Sequence, residues 1–327
     1  MHILAITTAS QTSPSPAIQD HLDGLLAYGI TYDVYTIQVN NKKSYLKAAQ
    51  FVAGTMLQRR KYDLIHAFYG HCGLIARAQF ALPVVVTFQG TDILGGIEGM
   101  SHASDGQIGR TVSRVVNSAI VMSDQMAQYC HTQPTHVIPF GINTDIFKPG
   151  SQIQARAELG LHPNTRYILF PYNPKRTEKR YYLAEAALAL VREQIDEDVE
   201  LLPVFAKPRE MVAKYMQASD VFILVSDHEG SPVAVREAIA CTLPVVSLDV
   251  GDVASIIEQV DHCTIATEDT ADIAQKLVDV LKSGERIQNT QAITRMNVDW
   301  TVSQIIPIYE EALGKRIVAE MTTTPND

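Results

Sequence analysis

The chain has 327 residues, about twice the usual length of one domain, so two domains of roughly 150 residues are expected. Hydrophobic residues make up 46% and charged residues 19%, a globular composition that excludes disordered, collagenous and low-complexity architectures. The net charge of −9 is uneven, with 10 Lys+Arg against 9 Asp+Glu in residues 1–150 and 17 against 27 in the rest, and no basic nucleic-acid footprint results.

In chain order, Met1-His2-Ile3-Leu4-Ala5-Ile6 carries no charged n-region or signal h-region and reads as a first strand, so a cytosolic protein is expected. Further strands are predicted at 32–37, 64–68, 84–88, 119–123 and 136–139, after the first at 3–7. Helical patterns lie between them at 17–28, 44–59, 73–80, 105–117 and 124–131. Short β-branched runs alternating with longer amphipathic stretches mean βαβ units and a mostly parallel sheet. The turn-rich segment 139–150 breaks the rhythm, and the domain boundary is placed after it. Strands then follow at 167–171, 200–205, 221–226, 244–248 and 263–266, with helices at 180–195, 209–218, 232–241, 253–260 and 270–283. The expected organisation is α/β, with doubly wound domains at 1–150 and 151–290 and a terminal helix and tail at 291–327, frayed over 321–327. Ligands bind beyond the carboxyl ends of strands in such sheets, so a cleft between the two domains is the default site.

The four cysteines, Cys72, Cys130, Cys241 and Cys263, are too scattered for a C-x-x-C or a zinc knuckle and are expected as reduced, half-buried thiols. No apolar run reaches the roughly 18 residues of a membrane-spanning helix. Lys42-Lys43 and Arg59-Arg60-Lys61 read either as a contact for an anionic membrane surface or phosphorylated lipid, or as a solvated helix end and turn.

The stretch from Val221 to Cys241 carries the most chemistry. A buried strand ends at Ser226, a short loop follows, and a helix opens with Ser231 as N-cap and Pro232 at its first position. Free amides around Gly230, Ser231 and Val233 at that helix start suit a diphosphate. Glu237 shares a face with Val233, Ala234, Ala240 and Cys241, where a carboxylate is costly unless something polar reaches it. With Glu229 at the helix mouth, two carboxylates line one pocket and suit the hydroxyls of ribose and hexose. The alternative is that Glu237 pairs with a core arginine and Glu229 is a loop acid.

Glu229-x7-Glu237, in its setting Ser226-Asp-His-Glu-Gly-Ser-Pro-Val-Ala-Val-Arg-Glu-Ala, resembles the signature of the retaining family-4 glycosyltransferases of GT-B fold. Further matches run in order: Tyr62 to Gly70, Val85-Val86-Thr87-Phe88-Gln89-Gly90-Thr91-Asp92, Ser118 to Ser123, and Val137 to Phe147. Phe170-Pro171-Tyr172-Asn173-Pro174-Lys175-Arg176-Thr177-Glu178-Lys179 and Pro244 to Val253 are similar to bacterial cell-envelope polysaccharide enzymes of the teichuronic-acid type. Asn297 to Leu313 resembles the terminal helix that crosses back to the first domain, with Trp300 and Tyr309 as packing residues and a part in the hinge of cleft closure. The resemblance implies two Rossmann-like domains facing a central cleft.

It also implies roles. Glu229 contacts the donor sugar beside the amides of Gly230 and Ser231, and Glu237 binds the ribose. Lys179 neutralises the donor diphosphate, with Arg176 as its arginine partner, because preorganised cations stabilise the departing nucleoside diphosphate. The family's Gly-Arg pair is missing, and Asn173 and Lys175 occupy its neighbourhood. Gln89 stands where the family has a histidine touching the transferred sugar; it can hydrogen-bond but carries no proton at neutral pH. The loop from Thr7 to Pro16 lacks the usual Gly-Gly, leaving serine and threonine hydroxyls in its place. Asp92, His66 and His71 are acceptor-side candidates, each histidine with a structural role as its alternative.

The function expected is retaining transfer of a hexose-type sugar from a UDP- or GDP-linked donor to a lipid-linked envelope or capsular glycan, at the inner face of the plasma membrane. No cofactor, metal or nucleic acid is expected, since no Asp-x-Asp stands where the diphosphate would need an ion. The alternatives are a catalytically silent nucleotide-sugar-binding or scaffold protein, which Gln89 and the missing glycines leave open, and a nucleotide-sugar epimerase.

Overall fold

The computed structural model describes residues 1–9, 13–39, 41–56, 61–97, 100–258, 260–289 and 294–316. It divides into two compact units: unit 1, Met1–Gly141 with the chain from Val298 onward, and unit 2, Ile142–Asn297. The division falls inside the turn-rich segment, between Gly141 and Ile142, not after Gly150, and the terminal helix is no separate piece. Apolar anchors explain this. Ile142 and Phe147 are fully buried in the core of unit 2, and Ile142 pairs with Asn297 in a parallel bridge.

Unit 1 runs β1 (His2–Ala9), α1 (Pro16–Leu26), β2 (Thr31–Gln38), α2 (Lys42–Thr55), β3 (Leu64–Phe68), α3 (Gly70–Ala76), β4 (Val84–Thr87), α4 (Thr91–Leu94), α5 (Ala103–Val112), β5 (Ser118–Val121), α6 (Asp124–Ala127) and β6 (Thr135–Val137). Its strands form a parallel sheet of order β2-β1-β3-β4-β5-β6. β3, β4 and β5 are buried at every position, as strands covered on both faces are, whereas the edge strand β2 is largely half-exposed. Asn41 caps α2 by accepting from the amides of Lys43 and Ser44.

Unit 2 runs α7 (Gln152–Leu159), β7 (Arg166–Phe170), α8 (Tyr181–Arg192), β8 (Val199–Pro203), α9 (Arg209–Ala218), β9 (Val221–Leu224), α10 (Val233–Ala240), β10 (Val245–Leu248), α11 (Val253–Ile257), β11 (Thr264–Ala266) and α12 (Thr270–Ser283). The parallel sheet order is β11-β10-β9-β7-β8. The strand order therefore reverses between β1 and β3 in unit 1 and between β7 and β9 in unit 2, the positions where doubly wound sheets open a crevice.

The final helix α13 (Val298–Leu313) belongs to unit 1. It lies so close to α1 that a Cβ on Gly24 would stand 2.7 Å from Val298 Cγ1. Tyr309 on α13 is fully buried, and Trp300 is half-buried. The predicted strands are all present with shifted ends; β9, for example, stops at Leu224. The helices α4 and α7 have no counterpart in the sequence prediction, being one or two turns in polar or turn-rich sequence. Cys72, Cys130 and Cys241 are buried rather than half-buried, and all four thiols are free. Among the described residues no helix is long and apolar enough to cross a membrane. Arg59, Arg60 and the tail 321–327 lie outside the described residues.

Candidate functional site

In unit 2 the loops after β7 and β9 meet at the switch point. After β7 the chain turns at Asn173, whose side chain accepts from Lys175 N at 3.0 Å and whose carbonyl accepts from Arg176 N at 3.0 Å. One 3₁₀ turn, Thr177–Lys179, then carries Lys179 inward. Its ammonium contacts Glu229 Oε1 and sits 4.0 Å from the centre of the Tyr172 ring; the Lys179 and Glu229 side chains are 6% and 15% exposed. The Tyr172 hydroxyl is buried and finds no hydrogen-bond partner among the described residues. Burial, reinforced by the charges of Glu229 and Glu237, pushes its pKa well above the usual tyrosine range.

Arg180 locks the two loops together. In the left-handed conformation (φ 49°), it donates from Nε to Val225 O and from Nη2 to Ser226 O, both at 2.8 Å. Asp227 N adds a bond to Glu178 O at 2.9 Å. The loop after β10 closes the other side. Gly251 takes φ 62° and comes so near that a Cβ there would lie 2.9 Å from Gly230 O.

Ser231 is not the N-cap the sequence suggested. Pro232 occupies that position, and no side chain caps α10. The Ser231 hydroxyl instead donates to Asp252 Oδ2 at 2.9 Å and accepts from Arg236 Nη1 at 2.6 Å, while Arg236 Nη2 contacts Asp252 directly. A carboxylate from another loop has outcompeted the local cap. The first turn of α10, whose amides lack i−4 partners within the helix, follows Gly230, Ser231 and Pro232 directly and brings the positive end of the helix dipole there. Glu237 is 15% exposed with Arg209 Nη2 at 3.9 Å, and that guanidinium lies 5.3 Å from the Phe147 ring centre. The arginine partner of the alternative reading is thus present, beside the pocket.

Glu229, Gly230, Ser231 and Lys179 come together, and Tyr172 lies within electrostatic reach of Glu237 as well. The Arg176 guanidinium makes no contact with them, since it pairs with Glu178 at 2.7 Å and is 55% exposed, although its charge is felt at Tyr172; Lys175 is exposed. The residues of this cradle that spacing did not single out are Tyr172, Arg180 and the Arg236–Asp252 pair. Only Asp252 left a signal, as the acid following Gly251.

In unit 1, Asp92 is fully buried and accepts from Gln89 N (2.8 Å), Gly90 N (2.9 Å) and Gly70 N (2.8 Å). Burial raises its pKa to about 6 against the pull of those amides. Asp92 therefore shapes the Gln89 loop rather than meeting a ligand, while Gln89 itself is half-buried. His66 is in the core as well. Its Nδ1 meets Tyr309 Oη at 2.6 Å and its Nε2 meets Thr87 Oγ1 at 2.8 Å, tying β3 and β4 to α13. Burial, helped by His21, holds it neutral with a pKa well below the usual histidine range.

His71 alone of the acceptor-side candidates reaches solvent, 24% exposed with Nε2 3.8 Å from Asp105 Oδ1. Its ring stacks on Tyr69, centroids 5.8 Å apart and 10° between planes. Tyr69 adopts φ 89°, a conformation rare for a residue with a side chain. These residues, with Thr8, Lys42 and Tyr45, line a pocket of about 660 Å³ beyond the ends of β1, β2 and β3. Residues 10–12 of the β1 loop, where serine and threonine replace the expected glycines, lie outside the described residues. Among the described residues no group of three His, Cys, Asp or Glu is placed to hold a metal ion.

Residues 8–146 match the family described as Glycosyltransferase Family 4 and residues 162–283 that described as Glycosyl transferases group 1. A Bacillus subtilis glycosyltransferase assigned to teichuronic acid biosynthesis, TuaC, is 25% identical over 280 residues, covering 78% of this chain and 70% of that protein. Among solved structures, sucrose-phosphate synthase from Thermosynechococcus elongatus superposes with a TM-score of 0.76 at 16% identity, over 96% of this chain and 100% of that one. Anabaena HepE, in complex with UDP and glucose, does so at 0.67 and 18%, over 93% and 98%. At such identities these two likenesses speak for the fold.

Proposed function

We propose, starting from a chain that belongs to the family-4, group 1 glycosyltransferases of GT-B fold, that it transfers a hexose-type sugar with retention from a nucleoside diphosphate to a cell-envelope glycan. The observation that carries this reading is the buried Lys179, held between the Tyr172 ring and Glu229 at the β7/β9 switch point beside the start of α10. A cation and a helix N-terminus together suit a diphosphate whose negative charge grows as the anomeric carbon–oxygen bond breaks. Glu229 serves the transferred sugar and Glu237 the ribose. Lys179 and the α10 amides take over the neutralisation that a divalent ion gives elsewhere, so transfer proceeds without metal. Arg176 is paired with Glu178, with its charge felt at Tyr172, and it turns to the diphosphate when that pair opens.

In unit 1 the pocket lined by Tyr45, Tyr69, His71 and Lys42 receives the acceptor. An envelope glycan as acceptor is supported by the likeness to TuaC, whose name places it in teichuronic acid biosynthesis. A catalytically silent nucleotide-sugar-binding protein is the second reading, and Gln89 favours it because it cannot carry the proton a histidine could.

The test is release of nucleoside diphosphate from a panel of UDP- and GDP-sugars in the presence of a chelator, with envelope extract as acceptor. Turnover of one donor, abolished in Glu237→Ala, is expected. No turnover by the wild-type chain but activity in Gln89→His would overturn the enzymatic reading in favour of the silent one.

A further inference from the structure

We propose that the Tyr172 hydroxyl is a binding group of the unit 2 crevice, completed by a hydrogen bond with a pentose or hexose hydroxyl of the nucleotide sugar. The inference rests on the donor reading above and assigns that site a residue which the E-x7-E spacing does not contain.

The first observation is the hydroxyl itself. It is buried and has no partner among the described residues. Elsewhere the chain satisfies its buried tyrosines: Tyr309 Oη meets His66 Nδ1 at 2.6 Å, Tyr167 Oη accepts from His162 N at 2.8 Å, and Tyr62 Oη donates to Asp33 at 2.7 Å. A buried polar group without a partner is costly, and a native one calls for an explanation.

The second observation is placement. The Tyr172 ring carries the Lys179 ammonium at 4.0 Å, and its hydroxyl feels the carboxylates of both Glu229 and Glu237. It therefore stands among the groups that suit sugar hydroxyls. Neither carboxylate accepts from it, so its donor and its lone pairs are available to a ligand that brings both.

The third observation is that stability alone would accept a phenyl ring here. Tyr172 packs edge-on against Phe170 at 5.5 Å, in the same aromatic cluster as Tyr181. Residues that lower stability without structural return concentrate where ligands bind.

Tyr172→Phe keeps the ring and the seat of Lys179 and removes only the hydroxyl. The thermal midpoint of the full chain without nucleotide is expected to rise by ~2–4 °C. Affinity, read by calorimetry with UDP, UDP-glucose, GDP and GDP-mannose, is expected to fall roughly 5- to 10-fold. A loss already seen with UDP or GDP alone assigns the contact to the pentose, and a loss confined to the nucleotide sugars assigns it to the hexose. Equal binding by variant and wild type overturns the inference and leaves the donor reading standing. A lowered midpoint also overturns it, because the hydroxyl then has a structural partner. If the wild-type chain binds none of the four, the donor reading falls and takes this inference with it.

Discussion

Glu229→Gln separates binding of the diphosphate from transfer of the sugar. Lys179 contacts Glu229, and the two side chains are 6% and 15% exposed, so little solvent screens them. A diphosphate that recruits Lys179 must draw it off this carboxylate. A charge-assisted hydrogen bond in such a setting contributes about 1.5–3 kcal/mol, and glutamine keeps the shape while removing the charge. Nucleoside diphosphate without a sugar should therefore bind roughly 10- to 100-fold more tightly to the variant. Loss of a negative charge beside the site acts in the same direction. On the proposed role of Glu229 toward the sugar, turnover should fall by a comparable factor. Titration calorimetry with UDP and GDP, beside initial rates with the matching sugar nucleotide, gives both numbers. Unchanged or weaker binding of the diphosphate would refute the idea that Glu229 competes for Lys179.

Three further outcomes are expected. Asp252→Asn leaves Arg236, 3% exposed, without its countercharge; this should cost about 3–5 kcal/mol by urea denaturation, and a loss under about 1 kcal/mol would contradict the clamp. Gly109→Ala should prevent unit 1 from folding, since its Cβ would lie 1.6 Å from the main-chain oxygen of Asp92, which has no rotamer by which to yield; a soluble variant with native near-ultraviolet dichroism would count against this packing. Burial lowers the pKa of His21 from 6.5 to about 4. The unfolded chain then binds more protons between those values, so stability is full above about pH 6.5 and is lost as pH falls toward 4, by up to about 3 kcal/mol. His21→Leu should flatten that acid limb in denaturant titrations at pH 7 and pH 5, and equal slopes in both proteins would argue otherwise.

What was legible in the sequence followed what is local. Both sheets could be read because the central strands are short, largely apolar runs covered on two faces. The Lys179–Glu229 contact joins residues fifty positions apart, and no spacing rule predicts it; only the family resemblance named both partners. Ser231 satisfies every local criterion for an N-cap, yet Asp252 arrives from another loop and claims its hydroxyl. His66 sits between Ile65 and Ala67 in a strand buried on both faces, so its inward place was implied by the same pattern that made it look like a site residue. Tyr172 gave no signal, because a missing hydrogen bond is a property of the folded surroundings.

The return of α13 to unit 1 has a consequence for biosynthesis. Unit 2 is one unbroken stretch, Ile142–Asn297, whose two ends pair with each other, whereas unit 1 is assembled from the segments on either side of it. A ribosome therefore releases all of unit 2 before Val298 emerges. Until then α1 waits with Gly24 uncovered and His66 without Tyr309. The unit that begins second in the message is the first that can be finished, and the nascent chain carries an incomplete unit 1 through the whole of its partner's synthesis.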